Sequence, residues 1–273
     1  AIADASEGFD VMTLGNGTYL DRIIAQHRKR ASADQRSLAD LQRAVKDRPP
    51  PRKFLRALEE PGLSVIAEIK RRSPSKGDLF PDLDPRLLAG EYEAGGASCL
   101  SVLTDSPNFG GSPTDLTEAR DAVSLPVLRK DFTVDERDLL DALLMGADAV
   151  LLIAAALSGS ELRTFGLIAQ DLGLNALVEV HDERELDQAL EIGSDLIGVN
   201  QRDLYTFEVD HERAARMASL IPAEVVRVAE SGVRGPEDAA VLHAEGYSAV
   251  LVGESLVTSG DPALAVSALK GTS

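Results

Sequence analysis

Apolar residues along this chain gather into eight short runs: Ser64–Ile69, Gly95–Leu103, Leu125–Leu128, Gly146–Leu152, Ala176–Val180, Gly193–Asn200, Val225–Ala229 and Gly246–Gly253. Four of them echo one another. Gly-Gly-Ala-Ser-Cys-Leu-Ser-Val-Leu (95–103), Gly-Ala-Asp-Ala-Val-Leu-Leu (146–152), Gly-Ser-Asp-Leu-Ile-Gly-Val-Asn (193–200) and Gly-Tyr-Ser-Ala-Val-Leu-Val-Gly (246–253) each set a glycine and a small or acidic residue before aliphatics. The glycines at 96, 146, 193 and 246 recur at roughly 50-residue intervals, about two strand-plus-helix units. Between the runs lie Pro85–Glu93, Thr114–Ala122, Glu136–Leu144, Ser160–Leu172, Glu183–Glu191, Glu212–Ser219 and Pro236–His243, with apolar residues at helical spacing, as in Leu186, Ala189 and Leu190. Asp84-Pro85, Ser158 and Ser160 ahead of Glu161, and Gly235-Pro236-Glu237-Asp238 supply helix-start chemistry.

Strands that alternate with helices run parallel, because each crossover returns the chain to the same edge. Eight of them over about 200 residues predict an α/β fold closed as a (β/α)8 TIM barrel. Neither G-x-G-x-x-G nor a Walker A sequence supports an open nucleotide-binding sheet. Ahead of the first strand, Tyr19–Lys29 and Leu38–Val45 read as helices, Arg48-Pro49-Pro50-Pro51 as a breaker and Lys53–Leu58 as a short turn. About 40 residues rarely hold a core alone, so 18–60 is expected to pack on the barrel as part of one domain, 18–273. Residues 1–17 are expected to be mobile.

Composition narrows the function. The chain is 44% hydrophobic and 27% charged, as in a soluble protein, and its longest aliphatic run, LLIAAAL (151–157), is far short of a membrane span. The first residues are acidic and lack the apolar stretch of a secretory signal. One cysteine, Cys99, fits a reducing cytoplasm. A net charge of −17 disfavours nucleic acid and anionic membrane as partners but not a small anion held by a local cation cluster. Four scattered histidines and one cysteine give no transition-metal pattern, and with no Trp the core must be aliphatic. A monomer is expected.

Barrel strands are buried on both faces, so ionisable residues within them are costly unless they sit at an end with a partner. Here they sit at one end: Glu68 and Lys70 on the first strand, Arg129 and Lys130 on the third, Glu179 on the fifth and Glu230 on the seventh, with the polar Asn200 closing the sixth. That is the face on which barrel enzymes build active sites. Each could be a structural ion pair; five ionisable groups on one rim (Glu68, Lys70, Lys130, Glu179 and Glu230), with both signs, favour a site. Arg129 has opposite parity to Lys130 and is expected to pair with a helix or loop. His181 reads as a polar rim residue and Cys99 as packing in the second strand.

Gly-containing loops after the last two strands, Glu230-Ser231-Gly232-Val233-Arg234-Gly235 and Val252-Gly253-Glu254-Ser255-Leu256, fall where this fold seats phosphate; the alternative is that they only make tight turns. The basic stretch 71–78 is either a solvated connection or a lid over an anion. Phe109 and Phe132, rare aromatics just past the second and third strands, suggest a flat apolar ring held at the same rim.

Taken together, AEIKRRSPSKG (67–77), SVLTDSPNFGGS (101–112), PVLRKDF (126–132), ALVEVHD (176–182), IGVNQRDL (197–204), VAESGVRG (228–235) and AVLVGESLV (249–257) closely resemble the indole-3-glycerol phosphate synthase family, from about Tyr19 to the C-terminus. The resemblance implies a (β/α)8 lyase of tryptophan biosynthesis that needs no metal or organic cofactor. Its substrate would be a phosphosugar joined to anthranilate, 1-(2-carboxyphenylamino)-1-deoxyribulose 5-phosphate. It further implies Lys130 as general acid of ring closure, with Glu68 beside it orienting or pairing with it, and Glu179 as general base. Lys70 would bind the substrate carboxylate and phosphate or act as acid in dehydration. Asn200 and Glu230 would bond sugar hydroxyls or hold the lysines. Ser231, Gly232, Gly253 and the Glu254 N–H would cradle phosphate, with Arg202, Ser73 and Pro74 at the mouth and Phe109 and Phe132 sandwiching the ring. Two departures stand out. Some family members carry Ser where Glu254 stands, so its carboxylate must turn outward, and the loop 106–111 is richer in glycine than usual. Rival readings are a Schiff-base aldolase using Lys130 or Lys70, and a catalytically dead barrel serving as a scaffold.

Overall fold

Eight parallel strands close on themselves in the computed structural model, which describes residues 18–74, 76–203 and 206–271. They are β1 (Ser64–Ile69), β2 (Cys99–Leu103), β3 (Val127–Lys130), β4 (Ala149–Ile153), β5 (Asn175–Val180), β6 (Leu196–Asn200), β7 (Val226–Glu230) and β8 (Ala249–Val252), each hydrogen-bonded to its sequence neighbours, with β8 returning to β1. Alternation along β1 sorts its side chains: Ile66 joins the cluster inside the barrel, while Val65, Ala67 and Ile69 pack outward under the helices. The internal echo has a physical cause. Gly96, Gly146, Gly193 and Gly246 all have positive φ, between 76° and 94°, and end the preceding helix. The N–H of the next residue reaches back to the last turn, as Ala97 N to Tyr92 O and Ala147 N to Ala142 O, both at 2.9 Å. This is the glycine-dependent cap that satisfies final carbonyls and turns the chain into the next strand.

The crossover helices are α4 (Pro85–Ala94), α6 (Pro113–Ala122), α7 (Glu136–Met145), α8 (Gly159–Asp171), α9 (Glu183–Glu191), α10 (Arg213–Ala218), α11 (Pro236–Ala244) and α13 (Pro262–Leu269), with short turns α5 (Ser106–Phe109) and α12 (Glu254–Val257) at the strand ends. The sequence pattern does not single out α5, α13 or the small antiparallel ribbon Arg72–Ser73 with Gly77–Asp78. The third strand starts at Val127, later than its apolar run, because Pro126 has no N–H to give the ladder.

The N-terminal extension packs on the barrel. Its first helix, α1 (Tyr19–Ala33), is longer than the periodicity indicates and buries Leu20, Ile23 and His27. Next, α2 (Leu38–Val45) packs beside α7, and Arg36 bridges to Asp141 at 2.7 Å. Finally α3 (Phe54–Leu58) sets Phe54 and Leu58, both fully enclosed, against the strand-start residues Cys99, Ala149 and Ala249. Those small residues leave space for the Phe54 ring at the barrel floor. The mobility expected of residues 1–17 lies outside the described residues. No helix among the described residues is long and apolar enough to cross a membrane.

Asp148 ties floor to extension. Fully buried, it accepts from the backbone N–H of Arg52 at 2.7 Å and of Val127 at 2.8 Å, and from Arg120 Nη2 at 3.1 Å. Asp148→Ala strands two backbone donors and a guanidinium in low dielectric. It is expected to lower unfolding stability by about 3–5 kcal/mol, read as a shift of the urea midpoint; an unshifted midpoint would remove this role.

Candidate active site

The C-terminal ends of the strands open into a cavity of about 540 Å³. The residues that the family resemblance implies for the site all border it: Glu68, Lys70, Ser73 and Pro74 from β1 and its loop; Phe109; Lys130 and Phe132; Glu179; Asn200 and Arg202; Glu230, Ser231 and Gly232; Gly253 and Glu254. Arg129 and His181 do not. Register sets neighbouring strands side by side at this end. Asn200 is opposite Glu230 across β6 and β7, and Glu179 is opposite Gly198 across β5 and β6.

Lys130 is central. Its Nζ lies 3.2 Å from Glu179 Oε2 and 3.5 Å from Glu230 Oε2. Both carboxylates are 1% exposed, so their charges act through little water. Glu179 Oε1 also accepts from Asn200 Nδ2 at 3.1 Å, and Asn200 Oδ1 accepts from the Arg202 N–H at 3.0 Å. Burial by itself would lower the Lys130 pKa, but the carboxylates of Glu179, Glu230 and Glu68 outweigh it and hold the ammonium above its ordinary range. Burial opposes ionisation of Glu179 as well, yet Lys130, His181 and Asn200 bring its pKa below the usual carboxylate value. Glu230 goes the other way: burial, and then the Glu179 charge, push it up to about 8. The trio therefore holds one ammonium, one carboxylate and one carboxylic acid at neutral pH, which sets a proton donor against an acceptor.

Glu68 departs from expectation. It pairs with Lys70 at 2.6 Å and not with Lys130, because the two lie on the same face of β1; its charge reaches Lys130 only at longer range. Missing side chains make this arrangement possible. A Cβ on Gly253 would stand 2.5 Å from Glu68 Oε1 and 3.1 Å from Lys70 Nζ, and one on Gly198 would stand 2.0 Å from Glu230 Oε1. Gly253 thus makes room for the Glu68–Lys70 pair. Gly198 does the same for Glu230, a role the sequence signals only as a glycine inside a strand.

Beyond β7, Ser231 and Gly232 take φ of 66° and 76°, and Gln201 Nε2 donates to Ser231 O at 2.8 Å. Glu254 does turn outward: its Oε1 lies 3.5 Å from Lys76 Nζ and its side chain is 37% exposed. Phe109 and Phe132 have centroids 6.3 Å apart and planes tilted by 36°. A ring between two parallel faces needs about 7–8 Å, so here the pair forms one continuous wall, not a sandwich.

Three features of the site were missed in the sequence. The face of α1 carrying Tyr19, Leu20 and Ile23 covers part of the cavity, and Tyr19 packs edge-on to Phe207 at 5.1 Å. Residues at i, i+1 and i+4 of an amphipathic helix were the available signal. His27 meets Asp105 at 3.1 Å and stacks near Phe132, tying α1 to the loops after β2 and β3. Among the described residues, His27, Asp105 and Asp131 alone bring three metal-capable atoms within 4.8 Å, but Asn108, Thr104 and Arg129 already bond these carboxylates. His181 is the third. Instead of a rim residue facing water, it stands behind Glu179, Nε2 to Oε1 at 3.5 Å. Arg129 bonds the Asp138 carbonyl of α7 at 2.7 Å and Asp131 at 3.0 Å, as its parity requires.

A family profile described as "Indole-3-glycerol phosphate synthase" matches residues 20–269. An indole-3-glycerol phosphate synthase 2 from Streptomyces coelicolor is 52% identical over 244 residues, 89% of this chain and 93% of that protein. An indole-3-glycerol phosphate synthase from a Nocardioides species is 50% identical over 258 residues, 93% of this chain and 98% of that protein. Among solved structures, thiamine phosphate pyrophosphorylase from Pyrococcus furiosus aligns with a TM-score of 0.59 at 18% identity, over 80% of this chain and 96% of that one, a likeness of fold alone.

The raised Glu230 pKa has a stability consequence. A group whose pKa is higher folded than unfolded contributes fully below the unfolded value and loses that contribution as pH climbs through the folded one, here from about 4.5 to about 8. Glu230→Gln removes the titration. Its melting temperature relative to the parent is therefore expected to improve steadily from about pH 5 to about pH 9, and a flat difference would contradict the shift.

Proposed function

Because the chain belongs to the indole-3-glycerol phosphate synthase family, enzymes of the carbon–carbon lyase class in tryptophan biosynthesis, we propose that its cavity converts 1-(2-carboxyphenylamino)-1-deoxyribulose 5-phosphate to indole-3-glycerol phosphate, CO2 and water. The observation that carries this reading is the Lys130 ammonium held between Glu179 and Glu230, with glycine-bearing loops on one side and the Phe109–Phe132 wall on the other.

The chemistry suits these groups. The ring carbon bearing the carboxylate attacks the C2 carbonyl, and Lys130 gives that oxygen a proton as the new carbon–carbon bond forms. CO2 then departs and returns aromaticity to the ring. Dehydration expels the C2 hydroxyl as water and needs an acid there and a base for the proton lost beside it. Glu179, ionised and 3.2 Å from Lys130, is the base. Each such group supplies about 10²–10⁴-fold, with the remainder from positioning. Lys70 lies close to Gly253, which favours phosphate binding as its role over acid in dehydration. Ser231, Gly232, Gly253 and the Glu254 N–H complete that seat, as helix-start and loop N–H groups do for anions. Asn200 holds Glu179. Arg202, Ser73 and Pro74 border the entrance, and Phe109 with Phe132 flanks the anthranilate ring on one side.

The test is direct. Incubation with the carboxyphenylamino-deoxyribulose phosphate is expected to generate indole fluorescence, over low background because the chain has no Trp. Lys130→Ala and Glu179→Gln are each expected to cut turnover by about 10²–10⁴-fold with unchanged circular dichroism. Wild-type rates in either variant would remove its role. A covalent lysine adduct trapped by borohydride would instead favour the aldolase reading.

A further inference from the structure

The proposed reaction does not balance in protons within the site. Ring closure places one proton on the C2 oxygen, and dehydration sends that oxygen out as water with a second. Only one comes back, to the base, while the carboxylate leaves as neutral CO2. One proton per turnover must enter from solvent, at a stage when substrate occupies the cavity around Lys130 and Glu179.

A path that does not pass the substrate runs behind Glu179. The His181 ring bridges two carboxylates. Its Nε2 lies 3.5 Å from Glu179 Oε1, and its Nδ1 lies 3.0 Å from Glu185 Oε2, which also accepts the His181 backbone N–H at 2.8 Å. Nε2 is buried and makes no hydrogen bond among the described residues, although it points at the base. On its far side the ring borders a second cleft of about 330 Å³, which shares no lining residue with the substrate cavity. The charged groups around the ring are Glu179 on β5, Asp182, Glu183, Arg184 and Glu185 at the start of α9, and Arg213 and Arg216 on α10.

We propose that His181, held by Glu185, is a positioning residue that acts through Glu179 and relays protons from the second cleft to it. This rests on the reading of the site as a synthase. A proton from water in the second cleft, passed through Glu185, forms Nδ1–H as Nε2–H breaks. The proton released from Nε2 bonds Glu179 Oε1, and Glu179 gives one from Oε2 to the Lys130 amine, restoring the ammonium. The ring then turns toward the second cleft, where Nδ1 gives its proton to water as Nε2 takes one up, and swings back in its starting tautomer with no net proton gained or lost. Nothing is oxidised or reduced, and one solvent proton is consumed per cycle, as the overall reaction requires.

The experiment uses the full chain. Turnover of the phosphosugar–anthranilate substrate is followed across pH for the parent, His181→Ala, His181→Gln and Glu185→Gln, with and without added imidazole. Both His181 variants are expected to lose about tenfold or more in kcat with KM within about twofold. Imidazole should restore His181→Ala, saturably and in proportion to its protonated fraction, and leave His181→Gln, where the site is filled, unrestored. Glu185→Gln should shift the pH dependence of kcat with the same KM. Unchanged kcat in both His181 variants would overturn the relay. So would a loss in folded His181→Ala that imidazole fails to restore; if that variant does not fold, His181→Gln decides alone. A parent chain that gives no indole product would instead overturn the synthase reading, so the two failures are distinguishable.

Discussion

A single ammonium enclosed by acids governs the design of this barrel. Lys130 sits where desolvation works against any charge, and it stays charged because ionised Glu179 lies 3.2 Å away, with Glu230 at 3.5 Å. Three formal charges would leave that spot negative, so one carboxyl keeps its proton; Glu230, buried beside Glu179, is the one that does. The same competition between burial and neighbours yields an acid and a base from two residues of identical chemistry.

Much of the surrounding architecture serves to fit those groups into a narrow barrel. Gly198 and Gly253 are vacancies in strands and turns that carboxylates fill. Asn200 steadies one oxygen of Glu179, while its own carbonyl is held by the next residue but one. Below, the aliphatic interior and the Phe54–Leu58 plug leave the floor closed, so polarity is confined to the upper end of each strand. Stability and reactivity are thus divided along the barrel axis, as is general for this fold.

The barrel was legible because its signal repeats. At four strands a helix-ending glycine, followed by a small or acidic residue and a short aliphatic run, marks one turn into one strand. The polar rim was equally plain, since a charge inside a doubly buried strand survives only where a partner or a ligand meets it. What escaped was pairing. Parity placed Glu68 and Lys70 on one face but did not say that they would satisfy each other before Lys130. His181 looked peripheral because sequence gives no hint that its ring turns Nε2 back toward Glu179. The part played by α1 was hidden for a similar reason: an amphipathic face announces that something is covered, not what.

The extension touches the molecule at widely separated sequence positions. Tyr19 meets Asn108 and Phe207, Arg28 meets Glu161, and Arg52 meets Asp148. During synthesis these early residues leave the ribosome long before their partners exist, so α1 has nothing to dock on until most of the barrel has emerged. Closing such distant contacts carries a large entropic cost and comes late. The roof of the pocket, although encoded ahead of the barrel it covers, is therefore among the last of these parts to settle, and the cavity is closed over only after the strands beneath it have emerged.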